Sequence, residues 1–206
     1  MNWAFLASGR GSNFEAVARA AHEGQLPATK IVALVCNRSD AGALQVADKF
    51  RIPSFVIESA LFRTPTGKWN RAEYEQALEE CLERIAPDAI ALGGYMLLLG
   101  RRIIQRWNNR IVNIHPSYLP AFPGMHAQRQ AIEAGAKWTG CTAHLVNEGL
   151  DSGPILFQEK IEIRPGETAE QLEARLLPLE HAVFTRAINA MSRKDFRVEG
   201  AKVVWA

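Results

Sequence analysis

The sequence predicts an α/β protein: an open, mostly parallel twisted sheet with flanking helices, and a second lobe of mixed strands. Three observations carry that prediction. Short apolar runs alternate with amphipathic stretches through the first half, as successive βα units do. The run KIVALVC at 30–36 is β-branched and almost uninterrupted, the pattern of a strand covered on both faces and therefore central. Beyond residue 134 two strand patterns follow one another with only a loop between them, so the lobe they build is not a simple βα repeat.

In chain order, residues 3–7 form a first strand, SGRGSN turns the chain, and a helix follows over 13–23. After the strand at 30–36 come a helix at 41–49, a short strand at 54–57 and the loop FRTPTGK. Over 70–85 the apolar positions Tyr74, Ala77, Leu78, Cys81, Leu82 and Ile85 recur at three- and four-residue spacing, which dictates a helix with one buried face. A strand at 89–92, a short helix at 101–107 and a strand at 111–115 complete the first series, and the last runs into NIHPSYLPAFPG, too rich in proline for regular structure. The second lobe reads as a helix at 127–134, strands at 141–146 and 155–163 around the loop NEGLDSGP, and a helix at 169–191 that Pro178 should kink. FRVEGAKVV closes the chain as a hairpin turning at Gly200. With no repeat or linker, this is one domain over 1–206, in lobes at 1–110 and 111–206.

Composition narrows the function classes. At 48% hydrophobic and 22% charged residues the chain is globular, and 24 Lys+Arg against 22 Asp+Glu leave only +2, too little to mark a nucleic-acid partner. No apolar run reaches the roughly 18 residues of a membrane span. The N-terminus lacks the charged and apolar regions of a signal peptide, so the expected location is the cytoplasm. Cys36, Cys81 and Cys141 are odd in number and widely spaced in apolar contexts, and read as small core residues.

Chemistry concentrates in three places. SGRGSN follows a strand and opens a helix, where Gly9 and Gly11 permit a tight turn and helix N–H groups can meet a single phosphate. Phe14 stands where a dinucleotide fingerprint needs its third glycine, and an ordinary βα turn capped by Ser12 or Asn13 is the competing reading. Asn113 and His115 lie two apart on a strand and so share a face at its C-terminal end, the edge where open α/β sheets bind ligands. An amide donor beside an imidazole suits acyl transfer to an amine, one stabilising an oxyanion and the other moving a proton. Asp151 sits in GLDSGP; folded over His115 it would favour the imidazolium, and otherwise it serves an Asx-turn. His144 faces either core or cleft, and His115, His126 and His144 match no compact zinc spacing. Arg71 is a solvated charge or reaches a carboxylated ligand.

Together these segments resemble the glycinamide ribonucleotide formyltransferases, folate-dependent enzymes of purine biosynthesis with a Rossmann-like formyltransferase fold. The resemblance spans nearly the whole chain and rests on SGRGSN (8–13), APDAIALGGYM (86–96), NIHPSYLPAFPG (113–124), HAQRQA (126–131), GCTAHLV (140–146), LDSGPI (150–155) and LEHAVF (179–184). It implies Asn113, His115 and Asp151 as the catalytic trio, with Asp151 raising the pKa of the histidine. It implies Gly11, Ser12 and Asn13 for the substrate phosphate, Glu180 near the ribose phosphate, and Arg71, Met96, Leu97, Leu98, Leu99 and Asn113 for the folate. The first lobe would bind phosphate, and the second would hold folate and do the chemistry. At Leu97 the chain departs from the arginine frequent in the family, so the resemblance implies backbone groups rather than that side chain for the folate there.

The implied reaction passes the formyl group of 10-formyltetrahydrofolate, a cosubstrate consumed in the reaction, to the amine of glycinamide ribonucleotide, without a metal. Both partners are small molecules, and a homodimer remains open. Three competing readings stand beside it. A deformylase of the same fold would use water and carry an extra N-terminal domain. An enzyme formylating initiator tRNA would need a C-terminal domain and a basic surface, and a sugar-phosphate-binding module would have no use for the trio.

Overall fold

The computed structural model describes residues 1–206. Seven strands form one sheet in the order β3-β2-β1-β4-β5-β6-β7, and a two-stranded sheet closes the chain. The chain divides into two compact units, Met1–Ile111 and Val112–Ala206.

In the first unit β1 (Asn2–Ala7) lies between β2 (Lys30–Cys36) and β4 (Ala89–Leu92), parallel to both, and β3 (Ser54–Val56) pairs parallel with β2 at the edge. Trp3, Phe5, Leu6, Leu34 and Ile90 are fully buried, which is why these strands read as apolar without alternation. The helices are α1 (Ser12–His22), α2 (Ala43–Lys49), α3 (Arg71–Ile85) and α4 (Arg101–Arg106). Phe14 of α1 meets Phe5 of β1 with ring centroids 5.1 Å apart, so the residue that departs from a dinucleotide fingerprint is spent on packing the helix to the sheet. Asn70 caps α3, its side chain accepting from the Glu73 N–H.

The second unit is antiparallel. β6 (Trp138–Leu145) pairs with β5 (Ile111–His115) on one side and β7 (Ile155–Glu162) on the other. β6 begins three residues before the expected strand, because Trp138, Thr139 and Gly140 pair with Glu162, Ile161 and Lys160 although a glycine there reads as a break. After α5 (Ala127–Glu133), the long α6 (Ala169–Arg193) packs on β6 and β7 with Leu172, Leu176, Phe184 and Ile188 fully buried. A capping box between Thr168 and Gln171 starts it. Pro178 cannot donate to the Ala174 carbonyl, yet the helix continues past it, held by its buried face. β8 (Phe196–Glu199) and β9 (Lys202–Trp205) form the expected hairpin, Trp205 resting on Phe157 of β7 at 4.7 Å between centroids. No helix is long and apolar enough to cross a membrane.

Candidate active site

The second unit gathers a polar cluster on one face of its sheet. Asn113 of β5 pairs with His144 of β6 and His115 with Thr142, and since side chains alternate along a strand, all four point to the same side. His115, Thr142 and His144 are buried, and Asn113 is half-buried. A strand pair that is otherwise apolar here spends buried area on polar groups, which costs free energy unless each is hydrogen-bonded.

Each nitrogen of the His115 ring faces an acceptor. Nε2 lies 2.9 Å from the Phe122 carbonyl, and Nδ1 lies 3.4 Å from Oδ2 of Asp151. A carbonyl can only accept, so Nε2 carries a proton, and Nδ1 faces the carboxylate favourably only when it is protonated too. The arrangement is therefore matched to an imidazolium. Phe122 presents its carbonyl from a left-handed conformation (φ 56°), and His126 (φ 58°) shares that region within the same proline-rich segment. Bulky residues rarely adopt it, and such strain persists where surrounding structure enforces it.

Asp151 arrives from the loop between β6 and β7. Its φ of 45° suits Asp better than most residues. Gly153 lets the loop in, because a Cβ there would strike the Leu145 carbonyl. The turn itself is stitched by Asn147, whose Oδ1 accepts from the Gly149 N–H and the Ser152 hydroxyl (both 3.1 Å). Asp151 is thus not the Asx-turn residue. Its Oδ2 accepts from the Gly124 N–H at 2.8 Å. Burial opposes its ionised form, but the nearby His144 side chain, the Gly124 N–H and the positive charge available on His115 together outweigh burial and hold the carboxyl below its ordinary range. Of these contacts the Gly124 N–H has full hydrogen-bond geometry, whereas His144 Nε2 stands 3.6 Å from Oδ1.

His144 is the member whose role the sequence left open. Its Nδ1 donates to the Leu145 carbonyl at 3.0 Å, which in the neutral ring leaves Nε2 as an acceptor, and Asn113 Nδ2 lies 3.2 Å from it. His144 therefore orients the Asn113 amide, using one of its two N–H groups. Only the strand register brings the two together, and no local pattern at residue 144 reveals it.

The other expected site residues belong to other elements of the two units. In the first unit Gly11, not Ser12 or Asn13, caps α1, with φ 79° and no side-chain cap. A Cβ on Gly11 would stand 2.6 Å from Cβ of Ala43, so glycine is required by the approach of α2 as much as by its own backbone. Ser8 ties this turn to the loop after β4, its N–H donating to the Gly94 carbonyl (3.1 Å) and its Oγ accepting from the Met96 N–H (2.8 Å). On that loop Met96 and Leu98 are exposed, Leu97 is partly so, and Leu99 is buried. Arg71 pairs with Glu75 at 2.5 Å on the half-exposed start of α3. Glu180 is buried on α6 in the second unit. Burial first, and the Glu180 carboxylate second, push the Cys141 thiol up to about 12, which favours the protonated form over the nucleophilic thiolate.

A family model described as formyl transferase matches residues 1–188. The chain is 42% identical over 199 residues to the phosphoribosylglycinamide formyltransferase of Bacillus subtilis (strain 168), covering 97% of this chain and 98% of that one. It is similar to the crystal structure of glycinamide ribonucleotide transformylase 1 from Symbiobacterium toebii, with a TM-score of 0.91, 35% identity, and coverage of 100% of this chain and 93% of that one. A formyltetrahydrofolate deformylase from Pseudomonas syringae pv. tomato str. DC3000 shares the fold at a TM-score of 0.89, with 22% identity and coverage of 99% of this chain and 65% of that one.

Proposed function

Because the chain belongs to the formyl transferase family, we infer that it transfers the formyl group of 10-formyltetrahydrofolate to the amine of glycinamide ribonucleotide, a step of purine biosynthesis. The products are formylglycinamide ribonucleotide and tetrahydrofolate. The observation that carries this reading is the convergence of Asn113, His115 and Asp151 within a chain that matches a formyltransferase over nearly its full length. The deformylase likeness, at 22% identity, extends to the fold alone.

In the proposed mechanism the amine nitrogen bonds to the formyl carbon, and the carbonyl electron pair moves onto oxygen. Asn113 offers that oxygen the amide N–H that His144 does not use. His115 supplies a second donor once Nε2–H leaves the Phe122 carbonyl for the oxyanion, so this carbonyl holds the proton in place until the charge develops. Asp151, facing His115 Nδ1 at 3.4 Å, orients the ring and, directly or through water, accepts the proton lost by the amine. The oxygen's electron pair then re-forms the carbonyl as the bond from carbon to N10 breaks, and N10 receives the proton that Asp151 took from the amine. We assign Gly11, Ser12 and Asn13 to the substrate phosphate, where the uncapped first turn of α1 suits an anion, and Glu180 to the neighbourhood of the ribose phosphate. Met96 and Leu98 expose apolar surface fit for a pterin ring, with Leu97, Leu99, Asn113 and Arg71 completing the folate contacts; Arg71 would exchange Glu75 for a folate carboxylate.

Absorbance-monitored consumption of a 10-formyl folate, with and without glycinamide ribonucleotide, tests the reading. Consumption only in the presence of the ribonucleotide is expected. Equal consumption without it identifies a deformylase, and none in either case identifies a binding module.

A further inference from the structure

The loop that presents the Phe122 carbonyl is fastened from a strand with no other part in the site. On the sheet face that carries Asn113 and His115, β7 places Gln158 opposite Thr142 and, two residues on, Lys160 opposite Gly140. Gln158 Nε2 donates to the Leu119 carbonyl (2.7 Å) and to Thr142 Oγ1 (2.9 Å). The amide can sit only this way round, since a carbonyl cannot donate. Thr142, fully buried, also accepts from the Leu119 N–H (3.1 Å) and donates to the Ser117 carbonyl (2.7 Å), which uses its whole hydrogen-bonding capacity. Lys160 Nζ lies 5.9 Å from the centroid of Tyr118 and 5.1 Å from that of Trp138, a cation–π hold on the residue just before Leu119.

The loop so held delivers two backbone groups to the reacting centre. The Phe122 carbonyl accepts from His115 Nε2–H, and the Gly124 N–H donates to Asp151 Oδ2. Gln158 and Lys160 grip the loop, and the loop in turn grips the pair. We infer that Gln158 and Lys160 of β7 are positioning residues that fix the His115–Asp151 pair through the 117–124 loop, and so set the rate of the formyl transfer on whose reading this inference rests. A shift of about an ångström in a reacting group can cost on the order of 10²-fold in rate. The loop stays attached through Thr142, so a smaller loss is expected here.

Gln158→Met keeps the length of the side chain and removes both donors. It should lower kcat about tenfold and leave KM for either substrate within roughly twofold, because the residue stands behind the loop. A second readout needs no turnover. In the ligand-free protein the His115 Nε2–H should give a slowly exchanging ring-proton signal by NMR, which Gln158→Met should broaden or abolish while the His144 Nδ1–H signal, held by the Leu145 carbonyl, persists. Lys160→Met, at an exposed position, should move both readouts the same way by a smaller amount, and it decides the matter if Gln158→Met fails to fold. Wild-type kcat and an intact His115 signal in the variants that fold overturn the inference. Loss of the His115 signal in a chain whose wild type consumes no 10-formyl folate retains the positioning and overturns the proposed function instead.

Discussion

The turn at 8–13 follows a strand, the cluster around His115 lies on two, and both are polar, yet they are built from different parts. The turn is made of backbone: Gly11 in a left-handed conformation, α1 without a side-chain cap, and α2 pressed against the glycine. The cluster is made of side chains from three places in the chain, held by backbone groups of the 117–124 loop. A backbone site tolerates side-chain change but not a Cβ in the wrong place. A side-chain site tolerates small packing changes but not the loss of one functional group.

The largest break in this contrast should come at Asp151. Asp151→Asn removes the carboxylate that faces His115 and keeps its shape, and turnover should fall by about 10²–10⁴, the usual scale for lost acid–base help. Steady-state kinetics checks this, and a variant within a few-fold of wild type would remove Asp151 from the mechanism. The same residue carries a pH signature. Its folded carboxyl sits below the ordinary 3.8, so the ionised form adds stability that is present above the unfolded value and lost as pH falls through the folded one. The gap in urea midpoint between wild type and Asp151→Asn should therefore be widest near neutrality and close below pH 3.8; a constant gap would show that the carboxylate charge does not stabilise the fold.

The contrast also decides what the sequence could disclose. β2, β4 and β5 have the boundaries expected of them, since continuous apolar runs flanked by polar residues are local signals. The turn was legible for the same reason: its glycines, strand and helix are consecutive. Asn113 and His115 were legible as a pair because a two-residue spacing fixes a common face. The partnership of Asn113 with His144 was not, since it depends on a register between strands some thirty residues apart. Gln158 offered no signal at all, being an ordinary polar residue in an alternating strand whose meaning comes from lying opposite Thr142.

Asn113→Ala should come next in size. If its amide donates to the oxyanion, turnover should fall about 10²–10³-fold with the circular dichroism spectrum unchanged. His144→Gln should cost less, because a glutamine oxygen can still accept from the Asn113 amide. Equal losses in the two variants would give His144 a chemical task beyond orienting Asn113.

The smallest effect, and the sharpest test of the backbone half of the contrast, lies within SGRGSN. A Cβ on Gly9 meets nothing within 4 Å, whereas on Gly11 it lies 2.6 Å from the Ala43 Cβ and 2.7 Å from its Cα, at a φ of 79°. The conformation alone costs an L-residue about 1–2 kcal/mol. Forcing the start of α2 to yield costs on the order of 1–3 kcal/mol more. Gly11→Ala should thus lower the urea midpoint clearly, and Gly9→Ala should leave it near the wild-type value. The ligands separate the same way. Displacing the first turn of α1 should raise KM for the ribonucleotide in Gly11→Ala, and folate affinity should change less, the folate being assigned to the loop at Met96. Because Ser8 joins that loop to the turn through the Met96 N–H, a modest folate effect is expected; an effect larger on folate than on the ribonucleotide would reverse the assignment of the two ligands.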